Sequence, residues 1–252
     1  MRFVSRPAGY PAACCQLAGI AAAAVLVLCA LLQPAVAAGF LLLQLDGTYI
    51  KWGKPQFGAG ATVSYAILDG NRQDPDAINC KAMTGLEGLL GRSQLAPATF
   101  DERLQAALSL WQAAANITFV PAASAATADI VIGAQAVPRG IAYTNVQHQP
   151  VPGSKFARLG QATICLNPMV AWRAGGRSGG KTTTYELRRV LAHELGHAVG
   201  LDHPGRKGEL MGYAYQENID GLTGGDIAGI ETLYGVPAAA APAAGGSPAS
   251  GR

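Results

Sequence analysis

His193-Glu194-Leu195-Gly196-His197-Ala198-Val199-Gly200-Leu201-Asp202-His203 sets three imidazoles and one neighbouring carboxylate within eleven residues. On an α-helix, residues four apart share a face, so His193 and His197 point two ring nitrogens at a common spot. A hydrolytic zinc ion takes three protein ligands and keeps a fourth position for water. The chain therefore has to turn back to bring one more donor. Gly200 allows that turn, since a glycine past a helix end adopts the left-handed backbone without a side-chain clash, and His203 then completes the set. Asp202, one residue earlier, is an alternative third ligand. Glu194 directly follows the first ligand, so its carboxylate lies beside the ion, placed to take a proton from water and pass it on rather than to coordinate. Zinc brings such a water to a pKa of about 7. The bland alternative is a helix whose histidines are merely solvated, but the chain has only four histidines and three fall here.

Beyond this segment the chain resembles the metzincin metalloproteases. Glu209-Leu210-Met211-Gly212-Tyr213 is similar to their methionine turn, which implies that Met211 forms an apolar floor under the imidazoles without ligating. The resemblance also implies contact of Tyr213 with the zinc or the developing oxyanion, as in astacin-like and serralysin-like members. It implies a place for Tyr215 in the wall of the specificity pocket, as in matrixins; packing is the alternative for both tyrosines. The likeness is closest to the matrixin branch. Leu222 to Gly235 resembles its C-terminal helix, Lys51-Trp52 with Thr62 to Ile67 its first strand, and Trp111 to Phe119 with Asp129 to Gly133 its first helix and third strand.

This likeness covers about residues 50 to 235 and implies an α/β (α+β) fold of the metzincin zincin type. Such a fold has a mixed twisted sheet with an antiparallel edge strand, an active-site helix, the methionine turn and a C-terminal helix. An extended peptide adds to the edge strand by backbone hydrogen bonds, and Gly140, Ile141, Ala142 and Tyr143, followed by Thr144, occupy the matching stretch. Animal matrixins hold a second, structural zinc with three further histidines, whereas only His148 remains here, and their inhibitory propeptide cysteine motif is missing. One catalytic zinc is expected. Asp69, Asp74 and Asp76 lack the spacing of the known calcium loop, so calcium is unsupported and a solvated turn is the reading. The leading function is an exported zinc-dependent endopeptidase, with a non-catalytic zinc-holding peptide-binding or adhesion domain as the alternative. A gluzincin-type site using Glu217 as third ligand is disfavoured by Met211 and His203.

Residues 1 to 37 read as an export signal: Arg2 and Arg6 give a positive start, Leu17 to Leu32 an apolar stretch, and Ala35-Val36-Ala37 small residues for cleavage. An uncleaved anchor is the alternative, although residues 20 to 32 fall short of the roughly 20 apolar residues a span needs. The expected location is secreted or periplasmic. Cleavage discards Cys14, Cys15 and Cys29, and the remaining pair, Cys80 and Cys165, reads as one disulfide, with two separate buried thiols as the alternative. Losing Arg2 and Arg6 takes the formal charge from +3 to +1, which indicates neither nucleic acid nor an anionic membrane as partner. A monomer acting on a peptide or protein substrate is expected.

The catalytic domain is expected over residues 38 to 236, followed by an Ala/Pro/Gly-rich disordered tail over 237 to 252. Residues 38 to 60 lack a clear period. Alternation over Thr62 to Leu68 predicts a strand that ends at the turn Asp69-Gly70-Asn71. A capping box of Thr99 and Glu102 predicts a helix to about Ala115, with Leu104, Leu108 and Trp111 in the core. Phe119, Ile130 to Ile132, Ile141 to Val146 and Thr163 to Leu166 read as short strands. A second capping box, Thr183 with Glu186, is expected to open the zinc helix, and the last helix to run from near Thr223 to Tyr234-Gly235.

Overall fold

The computed structural model describes residues 39–178, 183–205 and 207–238. The expected export segment and the tail beyond residue 238 lie outside them. In chain order the elements are β1 (Leu41–Leu42), β2 (Gln44–Leu45), β3 (Thr48–Lys51), β4 (Ala61–Ile67), β5 (Asn71–Gln73), β6 (Ala82–Thr84), α1 (Glu87–Ser93), α2 (Pro97–Ala114), β7 (Ile117–Pro121), β8 (Ile130–Gln135), β9 (Ala142–Pro150), β10 (Phe156–Leu166), β11 (Ala171–Arg173), β12 (Thr184–Glu186), α3 (Leu187–Ala198), β13 (Leu201–Asp202) and α4 (Gly224–Tyr234). Among the described residues, no helix is long and apolar enough to cross a membrane.

The main sheet has nine strands with the path β2-β3-β10-β8-β4-β7. β10 pairs in parallel with β8, which pairs in parallel with β4, and β4 with β7. β9 runs antiparallel along β10 and has no second partner among the described strands, so it is the expected antiparallel edge. Successive side chains of a strand point to opposite faces, and the central strands use both. Ile130, Ile132, Ile164 and Leu166 join the main core with the helices, while Val131 and Cys165 join a smaller cluster with Leu68, Cys80 and Met83 on the other face.

Cys80 and Cys165 are bonded, across a sequence separation of 85 residues. The bridge fastens the loop before β6 beside the edge strand, where Asn145 Oδ1 accepts from Ile78 N at 3.0 Å. Replacing both cysteines by serine is expected to lower the unfolding free energy by about 2 to 4 kcal/mol, read from a denaturant titration. An unchanged midpoint would show that the bridge adds nothing.

The expected helix at Thr99 begins earlier and without that cap. Pro97 opens α2 after Ala96, because proline has its φ preset for the first helical position and no N–H to satisfy. Thr99 is thus already inside the helix. The capping box at Thr183 and Glu186 is also corrected: Thr184–Glu186 is extended and pairs with Ala171–Arg173, and Glu186 itself caps α3, accepting from Arg188 N and Arg189 N at 3.2 and 2.9 Å. Residues 38 to 60, which show no period, contribute β1, β2 and β3. The expectations at β4, β8 and α4 agree with the structure to within a few residues.

The two ends of the domain close on the end of α3. Trp52 Nε1 donates to Ala198 O at 2.8 Å, Tyr234 Oη donates to Val199 O at 2.8 Å, and Trp52 N donates to Tyr234 Oη at 3.1 Å. Trp111 Nε1, from α2, donates to Ala192 O at 2.9 Å. α3 is therefore fixed along its length by side chains far away in sequence.

Candidate functional site

Leu187, Leu191 and Leu195 are buried on the core side of α3, which leaves His193 and His197 on the cleft side. The helix ends at Ala198, and the chain turns through Gly200, whose φ of +102° lies in the left-handed region and where an added Cβ would strike Ile50 O. The chain then pairs Leu201 with Leu42 and Asp202 with Leu41, which carries His203 back over the helix. His203 Nε2 lies 3.1 Å from His193 Nε2 and 3.1 Å from His197 Nε2.

Backbone carbonyls fix the tautomers. His193 Nδ1 donates to Leu210 O at 2.7 Å and His197 Nδ1 to Leu201 O at 2.9 Å, so in the neutral rings both Nε2 atoms carry lone pairs. Bare nitrogens so close repel unless a cation sits among them, and two nitrogens each about 2.05 Å from a tetrahedral zinc lie roughly 3.3 Å apart. The observed separations fit that ion. Burial lowers the pKa of all three rings, that of His197 to about 3 with the other two imidazoles adding to the effect, and neutral rings are the form that binds metal. Among the described residues this is the one group of His, Cys, Asp and Glu side chains able to hold an ion.

Glu194 is buried beside this cluster, and desolvation pushes its carboxyl up to about 7 against a hydrogen bond from Thr144 that lowers it. Thr144, on β9, places its hydroxyl 2.7 Å from Glu194 Oε2. Met211 is buried beneath the helix, where a Cβ on Gly196 would run into its sulfur; only glycine lets the methionine approach so closely. The turn that carries Met211 is held by Asp226, 1% exposed, at the start of α4. Its carboxylate accepts from Leu210 N at 2.9 Å, Met211 N at 3.0 Å, and Thr223 N and Oγ1 at 2.8 Å each.

The remaining candidates divide. Tyr213 is 85% exposed and packs its ring edge-on against His203 at 5.2 Å between centroids. Tyr215 lines the cleft, but its hydroxyl is engaged below, accepting from Arg189 Nη1 at 2.7 Å and Glu186 N at 3.1 Å. Glu217 pairs with Arg173 and Arg189, which takes it out of the ligand set. Asp202 turns its Oδ1 to His203 N at 2.7 Å and is not among the converging donors. Gly140 and Ile141 precede β9, Ala142 and Tyr143 open it, and all four line the same cleft of about 510 Å³ as the histidines. His148 pairs with Asp46 and belongs to no metal-holding group among the described residues.

The sequence placed Thr144 in the edge-strand stretch but not its contact with Glu194, and it gave no role to Arg173 and Arg189 under the cleft or to Asp226. Only Asp226 carried a local signal, lying three residues after Thr223 at the spacing of a capping box.

A family model described as Peptidase_M10, Matrixin, matches residues 89–235. The chain is 32% identical over 143 residues to the interstitial collagenase of Oryctolagus cuniculus, an alignment covering 56% of this chain and 29% of that protein. It is 32% identical over 137 residues to the interstitial collagenase of Sus scrofa, covering 54% and 28%. The aligned part spans less than a third of the length of either relative.

Proposed function

The chain belongs to the matrixin family, and from that membership we propose that it is an exported zinc-dependent endopeptidase whose catalytic domain is residues 38 to 236. His193, His197 and His203 hold the ion, and Met211 is its apolar floor. Bound zinc supplies the Lewis acidity that activates a water and polarises the scissile carbonyl. Glu194 takes the proton from the attacking water and returns it to the departing amine nitrogen. Tyr213, at the mouth beside His203, donates its hydroxyl to the oxygen on which charge develops. The peptide lies extended along the outer edge of β9, where Gly140, Ile141, Ala142 and Tyr143 recognise its backbone, and Tyr215 stands in the wall of the side-chain pocket. The Cys80–Cys165 bridge fits an oxidising, extracytoplasmic compartment.

The observation that carries this reading is the convergence of three Nε2 atoms beside a buried carboxylate in a cleft bounded by an open sheet edge. The test is metal analysis of the purified protein together with mass-spectrometric mapping of cut sites in a peptide mixture. One zinc per chain and internal cuts are expected; chelation should abolish cutting and added zinc should restore it. A folded, zinc-loaded protein that cuts nothing would favour the non-catalytic peptide-binding reading. A protein that takes up no zinc would overturn both.

A further inference from the structure

The edge strand β9 does more than face the cleft: one of its side chains reaches the buried carboxylate. Thr144 Oγ1 lies 2.7 Å from Glu194 Oε2 and 3.0 Å from Glu194 O. A hydroxyl has a single proton to give, and a carboxylate is the stronger acceptor, with the shorter contact. Among the described residues no other hydrogen bond reaches that carboxylate. A glutamate side chain has several rotatable bonds, and one tether fixes one oxygen while leaving Oε1 unbound.

We propose that Thr144 is a positioning residue, whose hydroxyl holds Glu194 Oε2 so that Oε1 alone faces the reacting water. This rests on the endopeptidase reading above. The arrangement also ties the general base to the strand along which the peptide lies. A purely structural threonine would need only the carbonyl contact at Glu194 O.

Thr144→Val keeps the shape of the side chain and removes the hydroxyl, and Thr144→Ser restores it. On one peptide taken from the cut-site map, the zinc-loaded valine variant should lose about 10- to 100-fold in kcat, with KM within about twofold of wild type. The serine variant should recover to within about threefold of wild type. Zinc content and the position of the cuts should not move in either. A valine variant with wild-type kcat, a loss confined to KM, or a serine variant as slow as valine would each overturn the assignment. If valine prevents folding, Thr144→Ala carries the same expectation. A wild-type protein inert on every peptide overturns the endopeptidase reading and this inference together; an active wild type with an equally active valine variant overturns only this inference.

Discussion

Glu194→Ala is expected to slow peptide hydrolysis by about three orders of magnitude while the fold and the bound zinc persist, since a positioned acid-base group contributes about 10²- to 10⁴-fold. The three imidazoles keep their own supports: Leu210 O and Leu201 O still hold two of the rings. The lost group is one whose burial already raises its carboxyl to about 7, so removing it relieves a desolvated carboxylate and does not unfold the helix. Glu194→Gln, which keeps the volume, should be nearly as slow, separating proton transfer from cavity formation. The comparison is kcat on one peptide, with zinc content measured on the same samples. Activity in either variant within about tenfold of wild type would assign the proton to another group.

Asp226→Asn should cost far more stability than Glu194→Ala, although it touches no ligand. The carboxylate is buried and accepts from three backbone N–H groups and one hydroxyl. An amide nitrogen in place of either oxygen confronts those donors with another donor. Breaking a buried, charge-assisted set of this kind costs about 3 to 5 kcal/mol, or roughly 10 °C in melting temperature for a domain of this size. Leu210, whose N–H is one of the four donors, also gives its carbonyl to His193. Zinc affinity should therefore fall by about 10- to 100-fold as well. A variant with unchanged melting temperature and unchanged zinc affinity would show that the methionine turn stands without Asp226.

The sequence disclosed those parts of the site that lie close together along the chain. His193, His197, Gly200 and His203 are legible because helical geometry and one glycine suffice to connect them, and the structure places the three rings as that spacing requires. Thr144 meets Glu194 across 50 residues and Trp111 meets Ala192 across 81; such pairs are set by tertiary packing, which no local period encodes. Capping boxes were a poor guide where stronger local constraints existed. Pro97 preset the start of α2 ahead of Thr99, and strand pairing with Ala171–Arg173 kept Thr184–Glu186 extended. The strands in residues 38 to 60 were hidden for a related reason: their burial follows the neighbours they pair with, β10 and β13, rather than an alternation of their own.

The clasp of Trp52 and Tyr234 on the end of α3 bears on when the histidine cluster is fully seated during synthesis. Tyr234 follows His203 by 31 positions, so the third imidazole leaves the ribosome before the residue that anchors the helix beneath it. A nascent chain halted short of Tyr234 has all three rings of the cluster, and Trp52 and Trp111 to hold the helix that carries them, but lacks the hydroxyl that closes on Val199 O.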